Sequence, residues 1–143
     1  MDQVSKLPAY FFVYGTLKRG QCREKCWPYK PQQVMRAWTL GRLFDLGDYP
    51  ALLDGSDQVW GEVWEYRADE AEAVLAVLDE IEVTNQPGTT NLYDRILCTA
   101  TVADSTQLAA YTYRFAHPIP QDQYIAPHPG DDKKQVAWPQ DQL

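Results

Sequence analysis

A single helical stretch among many strand-like segments limits what this chain can fold into. From Asp69 to Glu82, apolar residues recur at spacings of three and four, which places them on one side of an α-helix. Asp69 is a candidate N-cap, and Glu72 completes the pattern of a capping box. The sequence therefore predicts an α+β domain, with a curved sheet or small mixed β-barrel and one main helix packed on it.

The predicted strands lie on both sides of this helix. Ala9–Val13 is continuously apolar, as expected for a strand buried on both faces. Tyr93–Val102 and Leu108–Phe115 predict an antiparallel pair, because a short polar turn separates them. Gly61 lies within an alternating strand, which indicates close packing against the backbone. The other predicted strands are 33–40, 41–46, 51–53 and 59–66, with turns at 47–50 and 54–57.

Length and charge exclude several classes of protein. The 143 residues fit one domain, for which we expect the boundaries 1–117, followed by a Pro-rich polar tail over 118–143 that is extended or disordered. A net charge of −7 argues against nucleic-acid partners and anionic membranes, since both need a basic surface. No apolar run is long enough for a membrane helix, and no signal pattern occurs at the start. We therefore expect a cytoplasmic protein, whose oligomeric state the sequence does not define.

Metal and cofactor sites are not expected. The three cysteines, Cys22, Cys26 and Cys98, are an odd number and have no partners at zinc-ligand spacing, so reduced thiols are the simplest interpretation. His117 and His128 each precede a proline near or in the tail and make a catalytic triad or a two-histidine site improbable. Glycine patterns for nucleotide binding are absent from the sequence.

The segment after the first strand is a candidate binding loop. Tyr14-Gly15-Thr16-Leu17 ends an apolar run at a glycine, so backbone N–H groups there can approach a small anion closely. A simple turn is the alternative interpretation of the same pattern. Lys18 and Arg19 follow, either as a solvated pair or as a source of positive potential beside the loop.

Glu82 is the candidate acid–base residue. It projects about 45° from the centre of the apolar stripe, whereas Glu80 projects about 155° away and faces solvent. Burial and the negative end of the helix dipole both raise the pKa of a carboxyl group at this position, as suits proton transfer near neutral pH. The alternative is that the helix frays before Glu82 and the side chain enters solvent.

Several short motifs, taken in order, resemble the γ-glutamylcyclotransferase-like family, whose fold is a small mixed β-barrel with helices around it. The resemblance covers about residues 11–115, and Val83 stands where the family pattern has glycine. The motifs are Tyr14-Gly15-Thr16-Leu17, Gly41-x-Leu43 with Gly47-x-Tyr49-Pro50-Ala51, Val59-x-Gly61-Glu62-Val63, Leu78-Asp79-x-x-Glu82 and Tyr93-x-Arg95.

This resemblance implies a reaction and a set of site residues. The substrate would be a γ-glutamyl amine or short γ-glutamyl peptide, which cyclises to 5-oxoproline and releases the amine without a cofactor or metal. Tyr14, Gly15, Thr16 and Leu17 would hold the glutamyl group, Tyr93 would line the site, and Glu82 would be the general base and acid.

Two other functions fit the same sequence. A binding module on this scaffold would hold a small carboxylate-bearing metabolite without turnover. A protein-interaction domain would instead use the aromatic strand around Trp60 and Trp64, and it requires those rings to be exposed.

Overall fold

Five strands close into a mixed barrel in the computed structural model, which describes residues 7–143. The strands and the helix are β1 (Ala9–Val13), β2 (Gln33–Asp45), β3 (Pro50–Tyr66), α1 (Ala71–Ile81), β4 (Tyr93–Val102), β5 (Gln107–Phe115) and β6 (Gln135–Val136). Short 3-10 turns occur at Glu24–Cys26, Ala68–Glu70, Gln121–Gln123 and Gln140–Gln142.

β1 closes the barrel by pairing along both of its edges. The order of strands is β1-β5-β4-β2-β3-β6, and β1 pairs again with β3. β1 runs antiparallel to β3, with Phe12 opposite Val63, and parallel to β5, with Phe11 opposite Tyr111. The other pairs within the barrel are antiparallel. The expected α+β fold, a small mixed barrel carrying one main helix, is confirmed.

Two apolar clusters explain why β1 is apolar at every position. Phe12 packs with Val59 and Val63 in a cluster without helix residues, which lies inside the barrel. Phe11 and Val13 point the other way and join a second cluster that includes Val74 and Leu78 of α1. Because successive side chains of a strand alternate between faces, β1 supplies both layers at once. Gly61 permits this arrangement, since a Cβ there would lie 2.3 Å from the Val13 carbonyl oxygen.

The start of the helix differs from the prediction. Ala68–Glu70 forms a 3-10 turn, and α1 begins at Ala71 without a side-chain cap. The carboxylate of Asp69 accepts a hydrogen bond from Arg67 at 2.7 Å. Because Asp69 precedes the α-helix by two residues, the predicted capping box does not form.

The second and third strands are longer than the sequence indicated. β2 runs through Gly41 without a break and joins the two consecutive extended segments that the sequence predicts, 33–40 and 41–46. β3 extends from Pro50 to Tyr66 through the predicted turn. The register shifts between Gly41 and Arg42, which face Asp57 and Leu53, so residues 54–56 bulge out of the ladder. The turn-forming residues therefore make a bulge within one strand.

The tail beyond Pro118 lies extended against the barrel. Tyr124 bridges to Phe44, and the N–H of Ile125 donates to the Leu43 carbonyl at 2.8 Å. β6 adds parallel to β3, with Val136 opposite Val59. Ile125 and Val136 are buried, so these parts of the tail contribute to the barrel's core.

Candidate functional site

A cavity of about 150 Å³ opens between the end of β1, the end of α1 and the start of β4. It lies beside the barrel cluster and the helix cluster, whose residues supply most of its apolar wall. The structure brings all the candidate site residues to this one cavity: Tyr14, Gly15, Thr16, Leu17, Glu82 and Tyr93.

The loop after β1 is held in a fixed shape. The N–H of Lys18 donates to the Gly15 carbonyl at 3.1 Å, and the N–H of Arg23 donates to the Thr16 carbonyl at 2.8 Å. Gly15 packs so tightly against Pro50 that an added Cβ would lie 2.6 Å from the proline ring. Within residues 7–143, the backbone amides of Gly15, Thr16 and Leu17 donate to no hydrogen-bond acceptor.

Glu82 is the C-cap of α1, and its backbone N–H donates to the Leu78 carbonyl at 2.9 Å. The helix is thus intact up to this residue, and its carboxyl group borders the cavity. Burial raises the pKa of Glu82 to about 7, while the charge of Arg23 acts in the opposite direction. No cation of the described chain lies within ion-pair distance of Glu82. A carboxyl group in this state can accept and return a proton near neutral pH.

The residue after Glu82 has an unusual backbone conformation. Val83 has a φ of +54°, in the left-handed region that a β-branched residue rarely adopts. The N–H groups of Thr84 and Val83 donate to the carbonyls of Asp79 and Glu80 at 2.8 and 3.3 Å, which is a Schellman helix end. Glycine usually occupies this position, so the chain bears strain immediately beside Glu82.

Asp79 attaches the last turn of α1 to the barrel. Its two carboxylate oxygens accept hydrogen bonds from Arg95 on β4 and from the Tyr113 hydroxyl on β5, both at 2.6 Å. Because Asp79 lies one turn before Glu82, these contacts fix the end of the helix that carries Glu82. The sequence motifs included Asp79 and Arg95 but gave no indication that they form an ion pair.

The tyrosine hydroxyls are engaged with the walls of the cavity. The Tyr14 hydroxyl donates to the Tyr113 carbonyl at 2.6 Å, and the Tyr93 hydroxyl donates to the Pro50 carbonyl at 2.7 Å. Burial raises the pKa of both phenols above their ordinary value. They therefore stay neutral and present ring surface to the cavity.

Two cations near the loop differ from expectation. Arg23 borders the cavity, although the segment around Cys22 and Cys26 gave no such signal. Lys18 is buried, and its ammonium group donates to the Trp138 carbonyl at 2.7 Å, so it is not part of a solvated pair. Arg19 bonds Glu62 through its side chain at 3.1 Å.

The aromatic strand does not offer the surface that a protein-interaction domain would need. Trp64 is 4% exposed and stacks on Trp27 with ring centroids 4.3 Å apart. Trp60 is half-buried beneath Arg36. Trp64 therefore lacks the exposure that a protein-interaction surface on this strand requires.

Residues 7–143 contain no group of three or more His, Cys, Asp or Glu side chains that could hold a metal ion. Over the same residues, no helix has the length and apolar character needed to cross a membrane.

The family model for γ-glutamyl cyclotransferase, AIG2-like, matches residues 11–135, which includes the whole cavity and much of the tail. The chain belongs to this family. The match extends past residue 115, where the sequence resemblance ended, and includes tail residues that contact the barrel.

Relatives with known names or structures agree with this assignment. The chain is 38% identical over 104 residues to a γ-L-glutamyl-butirosin B γ-glutamyl cyclotransferase of Niallia circulans; the match covers 71% of this chain and 64% of the relative, slightly under two thirds. It resembles the crystal structure of an AIG2-like protein of Mus musculus, with 27% identity, a TM-score of 0.62 and coverage of 80% and 81% of the two chains. An Arabidopsis thaliana protein shares the fold at 23% identity, with a TM-score of 0.60 and coverage of 87% and 78%.

Proposed function

We propose that this protein cyclises a γ-glutamyl amine or short γ-glutamyl peptide to 5-oxoproline and releases the amine. The observation that carries the proposal is Glu82, a carboxyl group with a pKa raised to about 7 that borders the same cavity as the Gly15 loop. The named activity of the Niallia circulans relative supports the same substrate class.

Substrate binding would use the two polar sides of the cavity. The free amides of Gly15, Thr16 and Leu17 would hold the α-carboxylate of the glutamyl group. The α-ammonium group would then face Glu82, and the apolar walls would hold the side chain folded. Because the attacking amine and the γ-carbonyl belong to one molecule, this positioning supplies much of the rate.

One carboxyl group would transfer the proton twice. Ionised Glu82 takes a proton from the α-ammonium, and the freed amine attacks the γ-carbonyl carbon to form the ring C–N bond. As the bond from that carbon to the leaving nitrogen breaks, the leaving nitrogen takes the proton from Glu82. The surplus proton of the ring nitrogen then passes by way of Glu82 to the released amine, which departs as an ammonium ion. The products are 5-oxoproline and the amine, and Glu82 is ionised again.

A direct test is to incubate the purified protein with a panel of γ-glutamyl amides and to measure 5-oxoproline by mass spectrometry. We expect release from at least one amide, in an amount equal to the amine formed. If calorimetry detects binding but no product forms over hours, the proposed reaction is wrong and the site is a binding module for small carboxylate-bearing metabolites.

A further inference from the structure

A second cavity lies beside Lys18 and Arg19, the two residues that follow the Tyr14–Leu17 loop. It has a volume of about 80 Å³, and Lys18, Arg36, Trp60 and Glu62 are among its lining residues. Arg36 and Trp60 project from the outer face of β2 and β3, since Arg36 pairs with Glu62, two residues from Trp60 on the same side of the strand. None of these residues borders the first cavity.

Trp60 leaves a hydrogen-bond donor without a partner. Its indole Nε1 is buried, and in the described chain it is the one buried side-chain nitrogen or oxygen atom that has no hydrogen-bond partner. Buried donors are paired in nearly all native structures, so an unpaired one indicates a bound water, ion or ligand. The guanidinium of Arg36 lies over the same ring, 4.4 Å from its centroid.

Positive charge around this cavity is only partly neutralised. Glu62 already receives hydrogen bonds from the backbone and side chain of Arg19 and from Trp64. Neither Lys18 nor Arg36 has a carboxylate within ion-pair distance among residues 7–143. Burial lowers the pKa of Lys18, and Arg36 lowers it further, against the opposing charges of Glu62 and Asp141.

We propose that this second cavity binds a small oxyanion, a carboxylate or phosphate group, between Lys18, Arg36 and the indole N–H of Trp60. The ammonium, the guanidinium and the indole N–H supply donors only, as an oxyanion needs. The Glu62 carboxylate also lines the cavity, and its oxygens are already engaged by Arg19 and Trp64. The volume is several times that required for one water molecule. Such a site would hold Lys18, the residue that directly follows the loop lining the first cavity.

The test follows the indole N–H signal of Trp60 by two-dimensional NMR of the full chain, assigned with Trp60→Phe. Sodium phosphate and sodium acetate are added in separate titrations at constant ionic strength, with sodium chloride as the reference. We expect a saturable shift that chloride does not produce. Saturation by phosphate alone, by acetate alone or by both supports the site and identifies its chemistry.

Two charge variants make the result specific. Arg36→Gln removes one charged donor at an exposed position, so it should weaken binding about tenfold. Arg67→Gln removes a cation whose partner is the exposed Asp69, and it should leave binding unchanged. An unsaturable shift, a shift equal to that in chloride, or equal binding by Arg36→Gln would overturn the proposal and leave water as the partner of Trp60.

Discussion

Asp79 and Glu82 are two carboxyl groups one helical turn apart, and their surroundings differ sharply. Asp79 accepts hydrogen bonds from Arg95 and from the Tyr113 hydroxyl, both at 2.6 Å. Glu82 has no ion-pair partner in residues 7–143 and borders an apolar cavity. Burial raises its pKa to about 7.

The difference shows how one helix end can carry both an anchor and a proton carrier. A carboxylate that accepts hydrogen bonds from a guanidinium and a hydroxyl on two strands ties the helix to those strands. A carboxyl group that is buried without such partners destabilises its own charged form, and this keeps its proton exchangeable near neutral pH. Asp79 thus fixes the end of the helix that carries Glu82, the proposed proton carrier.

The largest expected effect follows from removing the exchangeable proton. Glu82→Gln keeps the shape of the side chain but cannot act as a base, so we expect kcat to fall by about 10²–10⁴-fold. Rates of 5-oxoproline release measure this. Glu80→Gln, a matched change at an exposed position two residues earlier, should retain activity. Activity of Glu82→Gln within tenfold of wild type would contradict the proposed role.

The raised pKa of Glu82 also predicts a pH-dependent stability. The folded-state pKa is about 7 and the ordinary value is 4.5, so the unfolded chain loses this proton first as pH rises. Wild type should therefore lose up to about 3 kcal/mol of unfolding free energy relative to Glu82→Gln between pH 4.5 and pH 8. Urea denaturation across this range measures the difference, and a constant difference would contradict the unpartnered burial of Glu82.

Substitutions that remove the contacts of Asp79 with Arg95 and Tyr113 should lower the stability of the fold more than the rate of the reaction. Asp79→Asn removes the negative charge that pairs with Arg95, so we expect the unfolding free energy to fall by about 1–3 kcal/mol. Tyr113→Phe deletes one hydroxyl donor and should cost about 1 kcal/mol. Because Glu82 remains, both variants should keep more activity than Glu82→Gln. Loss of activity as large as in Glu82→Gln, with unchanged stability, would show that Asp79 takes part in the chemistry.

The smallest effect concerns the strain between Glu82 and the following loop. Val83→Gly relieves a φ of +54° and should raise the unfolding free energy by about 0.5–1 kcal/mol, since the relief exceeds the added backbone entropy. Val83→Ala removes similar side-chain atoms but keeps a Cβ, so it should not be stabilising. Equal effects of the two variants in thermal unfolding would mean that the backbone is not strained there.

The sequence predicted the strands and the helix that carry the site residues better than the contacts between them. The bounds of β1 follow from its continuous apolar run, and the end of β4 follows from the polar turn after it. The place of Glu82 at the end of α1 follows from helical periodicity, which reports the face that a residue occupies. The Asp79–Arg95 pair joins residues on different elements, so periodicity within one element cannot reveal it. The family motifs contain both residues but do not indicate that they pair.

The errors have related causes. Turn-forming residues 54–56 were taken to end a strand, but pairing on both sides of the bulge keeps β3 continuous. The burial of Lys18 depends on Trp138, which lies 120 positions away in a tail without periodic pattern. Arg23 reaches the cavity from an irregular segment, where local sequence carries little information about direction.

The most direct test of the central claim is the titration of the Glu82 side-chain carboxyl carbon by NMR, with Glu82→Gln used to assign its signal. The structure predicts a single midpoint near pH 7, because burial without an ion-pair partner opposes ionisation. A midpoint near 4.5, the ordinary value for glutamate, would contradict the claim that Glu82 carries the proton.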